Sequence, residues 1–465
     1  MTHKLVLTLT AASLAACTAA GPDYTSPQMD LPTKFANSAS QSTLEAASEG
    51  WWGRLGDPLL NDLVQTGLSQ NLSIKSALER IIDARASSQR SGLPSQFDGD
   101  ISLESVRTKE DDGTISETSG STADAAFVFE LFGGAARSRE QSLANLDAAK
   151  FDVGTVRLAY LADMVNSYIL ARYFQAAASI TRQTIESRKQ TLDIVQRRRS
   201  ADEATRLELA QAKSLLATAQ ASLPILLANF DVNVFHIATL LDKPAAEVRA
   251  RMLRGRAQPR PRGGTAAGVP ADLLRNRPDV RFAERQLAAA TAGIGIAKSR
   301  LYPSLRLFGS ITTGTDETWT FGPSLTLPIL NQPVLQSNVK TASSKARQAE
   351  LAWRNSVLTA VEETQAAISL TRSWRRQVGS LWNAVSAAQE VHELSRESYK
   401  AGAVTLTDVL DAERSVAANR LAYSAGVRDW SSSWVQLQVA TGKGWLAGMK
   451  IVKKSEKPVE VAAKN

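Results

Sequence analysis

Cysteine is almost missing from this sequence: Cys17 is the only one in 465 residues, so no disulfide forms within the chain. Histidine is nearly as scarce. His3, His236 and His392 lie far apart, and none stands at metal-site spacing from another His or Cys. Phosphate loops are absent too, since Gly293 and Gly295 do not complete a GxGxxG and nothing resembles a Walker loop. No nucleophile or metal cluster emerges, so neither an enzyme nor a cofactor is expected, and energy for any work must come from a partner. Beyond the first residues, no segment approaches the roughly 18–20 uninterrupted apolar residues of a spanning helix. If the mature chain crosses a membrane, it does so as a closed barrel. Aromatics amount to 6%, and Lys+Arg exceed Asp+Glu by only 54 to 46. The one dense basic cluster, Arg197 to Arg199, is short and lacks interleaved aromatics, so no nucleic-acid partner is expected.

What is plentiful is the composition of long helices: alanine, leucine, glutamine, serine and arginine. The N-terminus carries Lys4, an apolar run from Leu5 to Leu9, and LAAC from Leu14 to Cys17. A basic start, a short apolar core and small residues before a cut describe a signal peptide. The cysteine at the cut resembles a bacterial lipobox, which implies a covalent lipid on Cys17. Two or more acyl chains anchor stably, because each buried CH₂ contributes about 0.8 kcal/mol and one chain alone is marginal. A plain small residue inside the signal core is the other reading. Thr18, in place of the Asp that commonly retains bacterial lipoproteins at the inner membrane, fits outer-membrane sorting.

The chain is also duplicated. Ser200 to Ser214 aligns with Lys400 to Arg414, pairing Thr205 with Thr405, Glu208 with Asp408 and Ala212 with Ala412. Leu93 to Leu103 matches Tyr302 to Thr312 through a proline and a serine. Each half reads as helix, strand pair, very long helix, tight connection, long helix. In the strand pairs Ile101 and Leu103 alternate with Asp100, Ser102 and Glu104, and Ala125, Phe127, Phe129 and Leu131 alternate with Asp124 and Glu130. A polar loop read from Lys109 to Ser119 separates these two strands; the same logic recurs with Leu305, Leu307 and Ile311 and, after a loop around Gly314 to Thr318, with Phe321, Leu325, Leu327 and Ile329. Such strands suit a membrane barrel or an amphipathic hairpin on a soluble core. Four strands close no barrel alone, since the smallest have about eight. Helical tracts from about Ala135 to Gln196 and from about Val334 to Ser398 would each run roughly 90–100 Å and must pack laterally on similar helices. Between the halves, Leu241 to Pro270 reads as a linker with one short helix, and the tail from Lys450 as disordered.

Gly50 to Ile74 (GWWGRLGDPLLNDLVQTGLSQNLSI) resembles the N-terminal signature of TolC-type outer-membrane efflux proteins, in the lipid-anchored OprM/NodT branch. Asp272 to Ser310, FELFGGAARSREQS, GPSLTLPILNQPVLQSN and YKAGAVTLTDVLDAERS are similar to that branch too, so the likeness runs from Cys17 to about Gly442. It implies a mainly α fold with a membrane β-barrel part: a homotrimer in which each chain gives four strands to a twelve-stranded barrel and long antiparallel helices to a periplasmic α-barrel. The organisation is then signal peptide 1–16; anchored segment, equatorial part and first helix 17–94; β hairpin 95–132; helical hairpin 133–241; equatorial linker 242–270; helix 271–302; β hairpin 303–330; helical hairpin 331–441; and an equatorial, disordered tail 442–465. The implied partners are a periplasmic adaptor, an inner-membrane RND-type pump and outer-membrane lipid. The implied task is passive export of drugs or other small molecules.

In that family the acids matching Asp408 and Asp411, three apart and so on one helix face, line the periplasmic constriction. Solvated acids favoured by the helix dipole are the alternative. The matching tyrosine, Tyr399, helps hold the closed tip against the other hairpin, where Glu208 takes the acidic position. Val404 replaces a basic tip residue of some relatives and Asp202 a usual turn glycine, with Arg414 and Arg206 as stand-in latches. Ser200, Asp202, Thr205, Gly402 and Thr405 form the tips that an adaptor would contact. Export of protein or metal shares this architecture, and a structural coiled-coil lipoprotein or an adaptor subunit is the reading from a different class.

Overall fold

The computed structural model describes residues 19–35, 48–262, 268, 270–314 and 317–447. Cys17, Thr18, the signal peptide and the tail beyond residue 447 lie outside the described residues. The duplication is visible in the element order. The first half has α1 (Pro58–Gln70), α2 (Leu72–Arg90), β1 (Phe97–Lys109), β2 (Ile115–Phe129), α3 (Gly134–Ser200) and α4 (Arg206–Leu240). A short helix α5 (Ala245–Met252) follows. The second half has α6 (Pro270–Asn276), α7 (Pro278–Ser299), β3 (Ser304–Thr313), β4 (Thr318–Thr326), α8 (Gln332–Lys400) and α9 (Leu406–Ala440). The long helices hold 67 and 69 residues, and the helices that return along them hold 35 each. Such matched lengths argue for a copied unit.

Local chemistry sets the breaks. Asp57 caps α1, accepting from Leu59 N at 2.9 Å with Pro58 as the first helical residue. Asn71 ends α1 and caps α2 through Ile74 N at 3.1 Å. The single helix expected over 271–302 is two, because Pro278 forces Arg277 into an extended conformation.

The four strands form one antiparallel sheet in the order β1-β2-β3-β4, so the hairpins of the two halves join through β2 and β3. Register puts Phe97, Ile101 and Leu103 on one face with Ala123, Ala125 and Phe127, then Leu305, Leu307 and Ile311, then Trp319, Phe321 and Leu325. The opposite face is mostly polar, with Asp98, Asp100, Ser102, Asp124, Thr122, Arg306, Ser310, Thr312, Thr320 and Ser324, and holds Ala126, Val128 and Phe308 toward the end nearer the helices. Among the described residues nothing covers the apolar side: Leu103 is 83% and Trp319 78% exposed. The loop read from Lys109 to Ser119 is shorter than expected. Ile115 to Gly120 continue as strand against Glu104 to Lys109, because a solvated ladder pairs its backbone without needing apolar alternation.

The core sits at mid-height of the long helices. Trp51, Leu60, Leu63, Tyr160, Leu161, Met164, Tyr168, Ile237 and Trp434 form one buried cluster, and Phe35, Leu273, Val280, Trp353, Val357 and Leu437 form another. Trp51 and Trp434 meet edge to face at 5.8 Å, and the Trp51 indole donates to Lys443 O at 3.1 Å. Residues 442–447, the equatorial start of the C-terminal segment, are packed, with Trp445 donating to Asn276 O at 2.8 Å. Arg172 is fully buried, donating to Tyr168 Oη at 3.0 Å and to Met252 O and Arg254 O at 3.1 and 3.0 Å. Tyr168 in turn donates to the Asp57 carboxylate, and burial with that carboxylate pushes the phenol well up. One chain of polar contacts thus ties α1, α3 and α5 together at this belt.

A strap from Ala19 to Phe35 runs outside α7. Ala20 N donates to Phe132 O at 3.0 Å at the foot of the sheet, Tyr24 Oη donates to Glu284 at 2.9 Å, and Phe35 is buried at the equator. Its contact with α7 needs Gly295, where a Cβ would stand 2.6 Å from Ala20 O.

The belt is expected to dominate stability. Trp51→Ala should cost about 3–5 kcal/mol, read as a fall in the melting temperature of the detergent-solubilised protein.

Candidate functional site

The two helical hairpins end in turns built alike. Ala201 N bonds Arg197 O, Asp202 N bonds Arg199 O and Glu203 N bonds Arg198 O; Ala401 N, Gly402 N and Ala403 N repeat this with Glu397, Tyr399 and Ser398. Both turns need one left-handed residue, and it is Asp202 at φ +58° in one and Gly402 at φ +74° in the other. Aspartate tolerates that conformation better than most residues, so the missing turn glycine changes cost rather than shape. Each turn then leads into a capping box. Thr205 N donates to Glu208 at 2.6 Å and Glu208 N to Thr205 Oγ1 at 3.2 Å; Thr405 N donates to Asp408 at 2.8 Å and Asp408 N to Thr405 Oγ1 at 3.4 Å. Ser200 Oγ donates back to Arg197 O at 2.7 Å.

The tips pack on each other through Val195, Ala204 and Ala212 of the first hairpin and Tyr399, Leu406, Val409 and Leu410 of the second, with Val404 at the edge. Tyr399 is 4% exposed, and the Arg198 guanidinium lies 4.7 Å from its ring centre. Arg198 Nη1 also donates to Tyr399 O at 3.4 Å. Burial pushes the Tyr399 phenol up, and the Arg198 charge offsets only part of that. Within the chain the cation that meets Tyr399 is Arg198. Arg206 is exposed, and Arg414 pairs with Asp411 on its own helix. The signal was present in the run Arg197 to Arg199, whose other members pair with Asp193 and Asp202.

The acids face water. Hydrogen bonds from the Thr405 hydroxyl and amide hold the Asp408 carboxyl below the usual carboxylate range. Asp411 is exposed beside Arg414. Among the described residues no group of His, Cys, Asp and Glu is arranged to hold a metal ion.

The sequence profile of outer membrane efflux proteins matches residues 63–241 and 269–443, one stretch for each half of the duplication. The chain belongs to the outer membrane efflux protein family. Nodulation protein T of Rhizobium leguminosarum bv. viciae is 38% identical over 453 residues, covering 95% of this chain and 94% of that protein. The pyoverdine export outer membrane protein OpmQ of Pseudomonas aeruginosa is 30% identical over 422 residues, 85% of this chain and 87% of its own. Among solved structures the outer-membrane channel OprN superposes with a TM-score of 0.82 at 26% identity, over 92% of this chain and 99% of that one. This efflux protein is thus an outer-membrane channel-type protein and not an enzyme. Its fold is mainly α with a membrane β-barrel part.

The turns give a direct test. Gly402→Ala is expected to cost about 1–2 kcal/mol, whereas Asp202→Gly should be neutral or slightly stabilising. Thermal melting of the two variants side by side reads the difference, and equal losses would refute the turn assignment.

Proposed function

We propose that the chain is a passive, gated exit duct. Three copies close a twelve-stranded barrel in the outer membrane, and their helical hairpins form a hollow periplasmic barrel shut at the tips. A periplasmic adaptor, coupled to an inner-membrane RND-type pump, opens it by docking on Ser200, Asp202, Thr205, Gly402 and Thr405. A lipid on Cys17 adds an anchor, and the strap brings neighbouring Ala19 against Gly133 at the foot of the sheet, the level of a membrane surface.

The sheet carries this reading. It is apolar on one face and polar on the other, and β1 and β4 are both edges. Lipid cannot satisfy the backbone groups of a free edge, and four strands are too few to close. Pairing β1 of one copy with β4 of the next removes every edge, and three copies of four strands give twelve. The helices support lateral association as well. α4 is long and apolar enough to cross a membrane by length and composition, yet it runs beside charged α3 and exposes Ile225, Val232 and Phe235. α8 exposes Leu351, Leu358, Trp382 and Val391. Neighbouring copies would cover these faces.

With three chains, Asp408 and Asp411 put six carboxylates around one narrow aperture. Such a ring favours cations and repels anions. Tyr399 against Arg198, with Glu208 nearby, holds the tips together. The cargo in this reading is a small molecule, in keeping with the pyoverdine export role of one relative.

Replacing Asp408 and Asp411 together by alanine should abolish cation block and weaken cation selectivity in planar bilayers. Unchanged selectivity and unchanged block would sink the gate. Separately, Val232→Glu with Phe235→Glu should convert a heat-resistant oligomer on mild gels to monomer. An intact oligomer would show that these faces lie elsewhere.

A further inference from the structure

Behind the tips one carboxylate is buried where three helices of the two hairpins meet. Glu413 of α9 is 5% exposed. It accepts from Thr191 Oγ1 at 2.6 Å and from Ser187 Oγ at 3.2 Å, both on α3. His392 of α8 brings Nε2 to 3.6 Å from the same carboxylate. Arg188 of α3 is buried beside them and donates to Leu215 O at 2.5 Å. Burial pushes the Glu413 carboxyl up, but His392 and the two hydroxyls outweigh it and keep the group below the ordinary glutamate range. The side chain is therefore charged at neutral pH.

The cluster is only half satisfied. Glu413 Oε2, Arg188 Nε and His392 Nε2 have no hydrogen-bond partner, and such orphans destabilise a contact that keeps them from water. The cluster faces a polar cavity of about 350 Å³, which Ser187, His392 and Glu413 line together with Gln183, Arg396 and Arg420. The contrast with the equator is informative. There the same helices meet through an extensive apolar core, whose burial outweighs the few unpartnered atoms within it, such as Trp434 Nε1 and Arg172 Nη2. Here, parting the hairpins would hydrate three buried polar groups while losing two hydroxyl–carboxylate bonds. Opposing terms of similar size make a contact that is closed but easily tipped.

We infer that Glu413 is a positioning residue for the gate: through Ser187 and Thr191 it clamps the second hairpin to the first and so sets the balance between shut and open tips. The inference rests on the gated-duct reading above. The full chain is reconstituted in planar bilayers as parent, Glu413→Gln, Thr191→Val, Thr191→Ser and the Glu413→Gln/Thr191→Val double variant. Glu413→Gln and Thr191→Val should each raise the open fraction about tenfold, the double variant no further than the larger single, because the two groups act as one unit. Thr191→Ser keeps the donor and should behave as parent. A merely structural role would lower the melting temperature without changing the open fraction. The clamp is overturned if Glu413→Gln and Thr191→Val assemble and conduct as parent. If Glu413→Gln fails to assemble, the Thr191→Val and Thr191→Ser pair decides alone. A parent that never conducts, even with Asp408 and Asp411 replaced, overturns the duct reading and the clamp with it. A conducting parent with unaltered variants removes only the clamp.

Discussion

Backbone hydrogen bonding at the edges of a short sheet constrains everything else in this chain. Four strands, apolar on one side, are stable in neither water nor lipid on their own, because their outer strands leave amides and carbonyls unpaired in hydrocarbon. The sheet is nonetheless long, regular and exposed on its apolar face. The trimer proposed above would supply matching edges from outside the chain. The long helices pose the same question, since each runs about 100 Å with apolar side chains such as Trp382 and Val391 exposed.

Much of this was legible from residues alone, for identifiable reasons. The duplication could be read because a turn, a threonine cap and its acidic partner recur at Thr205 and Glu208, then at Thr405 and Asp408, and this chemistry is local. The strands could be read because lipid on one side and water on the other impose strict alternation. The pairing of β2 with β3 was not legible, since it joins residues such as Phe127 and Leu307 with no local signal. Arg198 over Tyr399 was missed because the match depends on how two hairpins lie together. His392, alone by spacing, turns out to face Glu413 for the same reason. Where the sequence reading erred about the first β loop, it relied on apolar alternation that a solvated ladder does not require.

Buried polar groups are incompletely satisfied at both levels of the helical part. At the equator Arg172 reaches a phenol and two carbonyls, and Arg277 reaches Glu363 at 2.6 Å and Ala440 O at 3.1 Å, yet Arg172 Nη2, Trp434 Nε1 and Gln438 Oε1 have no partner. Toward the tips the same holds for Tyr399 Oη and Glu413 Oε2. What separates the two levels is the apolar packing around them, which is far more extensive at the equator than at the tips, so the ends are the more easily opened part of the rod.

The strap from Ala20 to Phe35 also works as a fastening. It is held at three heights: by Ala20 at the foot of the sheet, by Tyr24 on the flank of α7, and by Met29, Leu31 and Phe35 in the equatorial core. A segment fastened in this way shares any pull on its N-terminal end among several contacts, so no single one bears it alone.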